Sequence, residues 1–185
     1  WNSNVDRIST AYVIGGKPSK IIPKWRDGEV IKCFPEQKWG YHLGLQQAFF
    51  NKFKLPYKPL DKTSIGIEIC NWGWLKKDAD GTYRTYVNSK VDPLEVIELT
   101  VPFKGFKYWH KYTDAQIESL QSLLLFLCSK HQISKEYKED IWGITQRAFK
   151  GENGIYTHNS VRVDKTDIYP DLRVITMLKE LNKNV

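Results

Sequence analysis

The sequence has no apolar run long enough to cross a bilayer. Its longest, residues 123–128, is six residues against the roughly 18 of a spanning helix. It has no charged-then-apolar leader, and it begins at Trp1 without an initiator Met, which reads as a processed form or an excised domain. Cysteine is scarce. Cys33, Cys70 and Cys128 are widely spaced with no C-x-x-C, which excludes a thiolate zinc knuckle and a disulfide framework and leaves the redox compartment open. Cys70 and Cys128 lie in apolar sequence and read as inert core residues. Internal repeats, low-complexity tracts and Pro/Ser-rich linkers are also missing. With 41% hydrophobic and 26% charged residues the chain is a folded globule rather than a disordered one. A chain of 185 residues buries roughly 70% of its unfolded surface, ample for one core and tight for two, so one domain over 1–185 is expected.

Acidic residues are in the minority, and the net charge is +7. Between residues 17 and 62 stand ten Lys and Arg against four Asp and Glu, so most of the excess sits in one quarter of the chain. Such a surface favours polyanions such as nucleic acid, anionic lipid or anionic cell wall, or serves solubility alone. Nucleic acid is not the expected partner, because no helix carries clustered Arg and no RNA-binding aromatic signature is present. Aromatic residues make up 14%, seven of them Trp, a supply of rings for a core and for stacking on sugars or bases.

Residues 8–14 are β-branched, end at Gly15-Gly16 and predict a strand. Residues 29–34 predict a second strand after the Asp27-Gly28 turn, and residues 46–53 a short helix. The clearest strand is 63–71, where Ile65, Ile67 and Ile69 share one face and Gly66 and Glu68 the other. A carboxylate inside so apolar a strand needs a partner or an edge position in water. Residues 74–87 hold two strands about an Asp-Ala-Asp-Gly turn, and 94–101 another strand. Thr113 and Gln116 form a capping box ahead of a helix with Ile117, Leu120, Leu124 and Leu127 at helical spacing. A last helix over 172–181 shows Leu172, Ile175, Leu178 and Leu181. Strands interspersed with two packing helices predict an α/β layer structure.

Four histidines are available for chemistry. His131 follows the long helix, where its C-terminal dipole favours a cation. His110, in Tyr-Trp-His-Lys-Tyr, reads as structural or surface. His42 lies in Trp39-Gly40-Tyr41-His42-Leu43-Gly44, a ligand-binding rim of aromatic and imidazole. His158 is followed nine residues later by Asp167 in a polar loop, a pair that can meet on one metal ion, with Lys165 two residues before Asp167. Taken alone, that spacing is common.

Four segments occur in order: Trp-Gly-Tyr-His-Leu-Gly from Trp39, Ser-Ile-Gly-Ile-Glu ending at Glu68, Tyr-Thr-Asp-Ala-Gln-Ile from Tyr112, and His158 with Lys165-Thr166-Asp167. Together they resemble the zinc-dependent N-acetylmuramoyl-L-alanine amidases, the type that includes bacteriophage lysozyme-like amidases and peptidoglycan recognition proteins. The resemblance covers residues 5–180. It implies a central mixed β-sheet flanked by helices, and cleavage of the amide between the lactyl group of N-acetylmuramic acid and L-alanine. It implies Zn2+ held by two His and a Cys or Asp, here His158 and Asp167, with Glu68 as general base, Lys165 on the oxyanion, and Trp39, His42 and Asn71 lining the substrate groove. The implied partner is peptidoglycan or a muropeptide, at the bacterial cell wall, for a monomer that does not insert into membrane. A phage endolysin, a bacterial wall enzyme and a secreted effector all fit.

The chain departs from the pattern in two places. The resemblance puts the first zinc ligand in a strand reading Ser-Thr-His-Tyr-Val-Ile, and here the words are Ser9-Thr10-Ala11-Tyr12-Val13-Ile14. With Ala11 at that position zinc is weakened or absent. Ala11 marks an engineered His→Ala form of an active enzyme, a natural relative that binds peptidoglycan without cutting it, or a site in which another His, such as His42 or His110, takes over. The stretch 15–26 is longer and more basic than the usual link, and either extends the groove rim toward anionic wall polymers or is a solvated loop. The reading is thus a peptidoglycan amidase impaired at position 11, and its rival a non-catalytic peptidoglycan-binding module.

Overall fold

A computed structural model describes residues 7–18 and 24–183. Its α/β architecture agrees with the expectation, but the strands divide between two sheets. In the first, β1 (Tyr12–Ile14) lies between β2 (Val30–Lys32), antiparallel, and β3 (Ile67–Ile69), parallel. The second is antiparallel with order β6-β5-β4-β8-β7. It comprises β4 (Trp74–Lys77), β5 (Tyr83–Arg84), β6 (Lys90–Val91), β7 (Val96–Phe103) and β8 (Phe106–His110). Among the described residues four α-helices complete it: α1 (Gln47–Asn51), α2 (Asp114–His131), α3 (Gln146–Lys150) and α4 (Leu172–Glu180).

The parallel ladder sets Tyr12 beside Ile67, Val13 beside Glu68 and Ile14 beside Ile69. Neighbours across a ladder share a face, so Tyr12, Ile14, Ile67 and Ile69 turn together into the main core and Val13 and Glu68 turn away from it. The main core is closed by Leu120, Leu123, Leu124 and Leu127 of α2 and by Val174, Met177 and Leu178 of α4. The expected strand 63–71 is paired only over its last part, because residues 60–62 form a 3-10 turn and the Ser64 hydroxyl donates back to the Leu60 carbonyl at 2.6 Å. Cys70 corrects the core reading: it follows Ile69 on the outward side and is exposed, whereas Cys128 is buried. Leu172 is a second correction. At 74% exposed it lies off the buried stripe, which runs through Val174, Met177, Leu178 and Leu181.

The capping box is present. Thr113 Oγ1 accepts from the Gln116 amide and Gln116 Oε1 from the Thr113 amide, each at 3.1 Å. Gln116 does more than cap: its Nε2 donates to the Cys70 carbonyl at 2.7 Å, so the helix start is tied to the end of β3. Tyr169, wholly buried, stacks between Trp109 and Tyr112 with centroids 4.7 and 4.9 Å away. A smaller apolar cluster comprises Leu45, Phe50, Leu60, Ala148, Phe149 and Val161, with Leu43 against it. Of the basic stretch 15–26, residues 19–23 lie outside the described residues, as does Trp1.

Glu36 joins β1, β2 and α2. Its carboxylate, with a side chain only 1% exposed, accepts from the Tyr12 hydroxyl, from Lys32 at 2.8 Å and from Lys130 at 3.2 Å. The hydrogen bond from Lys32, then that from Tyr12, hold its carboxyl far below the usual range, while burial and then Glu36 push the Tyr12 hydroxyl up to about 12. A depressed folded-state carboxyl stabilises above the unfolded value of about 4.3 and loses that contribution as pH falls. Both lysines are near the surface, so screening limits the size. Glu36→Gln is expected to lower stability by about 1–2 kcal/mol at pH 7. The gap to the parent should narrow below about pH 4, read by urea melts at pH 7 and pH 3; a gap that stays constant would sink this account.

Candidate functional site

Two groups of side chains meet on the outward side of β3. The first belongs to the loop after α3. A 3-10 turn, His158–Ser160, is closed by its own capping box, in which the Thr157 amide donates to Ser160 Oγ at 3.2 Å. The wholly buried Asn159 donates through Nδ2 to the carbonyls of Asp167 at 3.0 Å and Ile168 at 2.8 Å. That anchor folds the loop back on itself and carries Asp167 Oδ2 to 3.0 Å from His158 Nδ1. The other ring nitrogen, Nε2, faces the Leu43 carbonyl at 3.2 Å.

Both nitrogens of His158 thus face oxygen acceptors. A neutral imidazole has one N–H, so the two contacts are satisfied together only by a doubly protonated ring, or by a cation in place of the proton on the Asp167 side. With Nε2–H donated to Leu43, the Nδ1 lone pair points at the carboxylate. A backbone carbonyl fixing the tautomer is the usual support for a metal-ligating histidine. Two ligand atoms on one tetrahedral zinc, at bonds of about 2.0–2.1 Å, lie about 3.3 Å apart, close to the separation of this pair. The donor chemistry fits one edge of such a site. No third His, Cys, Asp or Glu joins them among the described residues, so the set is one donor short of the three that catalytic zinc takes.

Glu68 and Lys165 share this neighbourhood. Glu68 keeps contact with solvent, yet the protein crowding it, and then the charge of Asp167, push its carboxyl up, while His158 and Lys165 pull the other way. Burial also works against the Asp167 carboxylate, but the hydrogen bond and charge of His158, with a backbone hydrogen bond and the charge of Lys165, together outweigh it, and Asp167 lies below the usual range. Residues from β3 and from the loop thus bring a carboxylate, a cation and a His–Asp pair into one neighbourhood on the outward side of β3.

The second group is the rim. Ala11, Trp39 and His42 line a cavity of about 10 Å³ with Glu36, Ser64 and Gly66, room for a single water. Ala11 is buried, and neither His158 nor Asp167 lines that cavity. An imidazole at position 11 enters it only by moving its neighbours or turning aside. His42 has both nitrogens engaged, Nδ1 with the Gly40 carbonyl at 2.8 Å and Nε2 with Ser64 Oγ at 3.0 Å. His110 lies at the end of β8 near Glu95, 3.8 Å away. Neither gathers with His158 and Asp167 into a group of three. Trp39 carries Arg7 over its ring at 4.2 Å and Lys62 at 5.0 Å, so the rim is cationic and aromatic. Asn71 stands apart: its Nδ2 donates to the His110 carbonyl at 2.9 Å and its Oδ1 accepts from the Gly73 amide at 2.7 Å.

Two carbonyls, Leu43 O and Gly44 O, join the two groups. Leu43 O accepts from His158 Nε2 and from Arg162 Nη1, the latter at 3.3 Å. Buried Asp61 holds that segment from behind, its Oδ1 accepting from the His42 and Leu43 amides at 2.8 and 2.9 Å. Asp61, Asn159 and Arg162 were not foreseen. Asp61 and Arg162 are single charged residues without a local pattern, and Asn159 passes for one more polar residue of a polar loop.

Compared with known proteins, residues 21–170 match the family model described as N-acetylmuramoyl-L-alanine amidase. No curated protein and no solved structure matches the chain.

Gly66 explains the Ser-Ile-Gly-Ile-Glu segment physically. A Cβ there would stand 2.7 Å from Thr10 Oγ1 and 2.9 Å from the His42 ring. Gly66→Ala is therefore expected to cost about 1–3 kcal/mol and to push His42 off Ser64. A thermal melt and the His42 ring signals in NMR check it, and an unshifted melt with unshifted signals would show slack where the structure has none.

Proposed function

The chain belongs to the N-acetylmuramoyl-L-alanine amidase family, and from that premise we propose that it takes the peptide stem of peptidoglycan along the outward face of β3. The amide between the lactyl group of N-acetylmuramic acid and L-alanine then lies over Glu68, Lys165, His158 and Asp167. The observation that carries this reading is the His158–Asp167 pair at 3.0 Å beside Glu68, in a chain of this family. Glu68, with its raised carboxyl, suits a general base that takes a proton from water and passes it to the leaving amine. Lys165 meets the oxyanion as charge develops on the carbonyl oxygen. Trp39 and His42 line the groove, and Asn71, tied at both ends of its amide, bounds it beyond the end of β3, apart from that rim. Zinc held on His158 and Asp167 would supply carbonyl polarisation and a more acidic water. With two donors the ion is held weakly, so this form is an impaired hydrolase acting at the cell wall. We propose separately that it works as a monomer, one amidase-like domain over 1–185. The two-donor set also favours a second reading, a module that binds muropeptide without cutting it.

Peptide release from purified peptidoglycan with added zinc separates the two, run on the chain and on Ala11→His with melts to show that both are folded. On the first reading Ala11→His releases peptide faster than the parent. Adding Glu68→Gln removes that gain by about 10²–10⁴-fold, the usual size of general base catalysis. Equal release by parent and Ala11→His would move the missing donor off β1. No release by either, with both bound to the wall, would leave the binding module.

A further inference from the structure

The β7–β8 hairpin reaches across to the loop that carries Lys165 and Asp167. Lys104 and Gly105 form its two-residue turn, with φ of 50° and 85°. Turns with both central residues left-handed match the twist of the flanking strands, so this one aims its first side chain along a defined direction. Lys104 Nζ donates to the carbonyls of Val163 at 3.0 Å and Lys165, with the Arg162 carbonyl at 3.5 Å as the weakest contact. An ammonium has three protons, and three carbonyls of one loop converge on it.

This is an unusual use of a lysine. The head group normally stays in water while the stem lies along the surface. Here burial penalises the charged form, and the charges of Asp167 and Asp164 offset part of that penalty. The loop has other ties on other sides. Arg162 Nη1 donates to the Gly44 carbonyl at 2.9 Å, and Asn159 holds the carbonyls of Asp167 and Ile168 from beneath. Within 162–165 the Arg162 amide donates to the His158 carbonyl at 2.9 Å and the Arg162 guanidinium pairs with Asp164, and Lys104 adds a tie from another element to the carbonyls of Val163 and Lys165.

We propose that Lys104 is a positioning residue: its ammonium fills the mouth of the 162–165 turn as a bound cation would, and thereby holds Lys165 and Asp167 in register with His158. The consequence for metal binding and hydrolysis rests on the function proposed above, whereas the clamp itself does not.

The test uses the full chain with Lys104→Met, which keeps the stem and removes the charge, and Lys104→Gln as a second variant that keeps two donors. Hydrogen exchange by mass spectrometry is read over 159–168 and over β4, β8 and α2. Exchange over 159–168 should quicken at least about tenfold in Lys104→Met, and less in Lys104→Gln, with the other elements unchanged. Methylammonium should slow it again in Lys104→Met, and sodium at the same ionic strength should not. Zinc affinity, read by competition with a chromophoric chelator, should fall about tenfold or more, the usual effect of losing a support behind a metal ligand. Unchanged exchange over 159–168 overturns the proposal, and so does exchange that quickens throughout the chain, which would make Lys104 a general stabiliser. If the parent binds no zinc while exchange and rescue behave as stated, the metal reading fails and the clamp stands.

Discussion

The parallel pairing of β1 with β3 organises the rest of the molecule. Side chains alternate along a strand, and paired residues share a face. Once Tyr12, Ile14, Ile67 and Ile69 enter the core, Val13 and Glu68 have no choice but the other side. The core face is sealed by α2 and α4, and α2 is tied to the end of β3 through Gln116 and the Cys70 carbonyl. The carboxylate in the middle of an isoleucine strand is therefore neither an error nor a buried charge. It marks the side on which the chain keeps its polar chemistry.

The loop 158–168 supplies the rest of that chemistry, and its shape is made by donors that find backbone carbonyls. Asn159 and Lys104 donate to main-chain carbonyls, Arg162 divides its donors between the Leu43 and Gly44 carbonyls and the Asp164 carboxylate, and Tyr169 anchors the far end between two aromatic rings. A polar loop held in this way can present His158 and Asp167 to each other across nine positions without a regular element. The Leu43 and Gly44 carbonyls tie this loop to the Trp39–Gly44 rim through His158 and Arg162. The arrangement also explains the His158 ring: a carbonyl on one nitrogen and a carboxylate on the other leave a place for a proton or a cation between His158 and Asp167.

Ala11 shows how sequence pattern and geometry complement each other. The pattern singles it out as the position where a ligand is expected. The fold sets it in a tight cavity with Trp39, His42 and Gly66. His42 and Gly66 are matched there: the ring can lie against the strand only because residue 66 has no Cβ.

Much of this was readable from residue order. The capping box at Thr113 and Gln116, the isoleucine face of β3, the outward Glu68 and the turn at residues 78–81 all follow from rules that act over two to four positions. The His158–Asp167 pair was visible as a spacing. What the order of residues could not decide is which distant groups complete the site. Lys104 acts on a loop 58 to 61 positions away, and Arg162 and His158 on a carbonyl 119 and 115 positions away. Strands β6 and β8, the exposure of Cys70 and the choice of Val174 over Leu172 for the core are of the same kind. Local preference acts between near neighbours and so determines faces and caps. Which donor meets which carbonyl depends on how packed elements exclude water around them, and that is settled only when the whole core has closed.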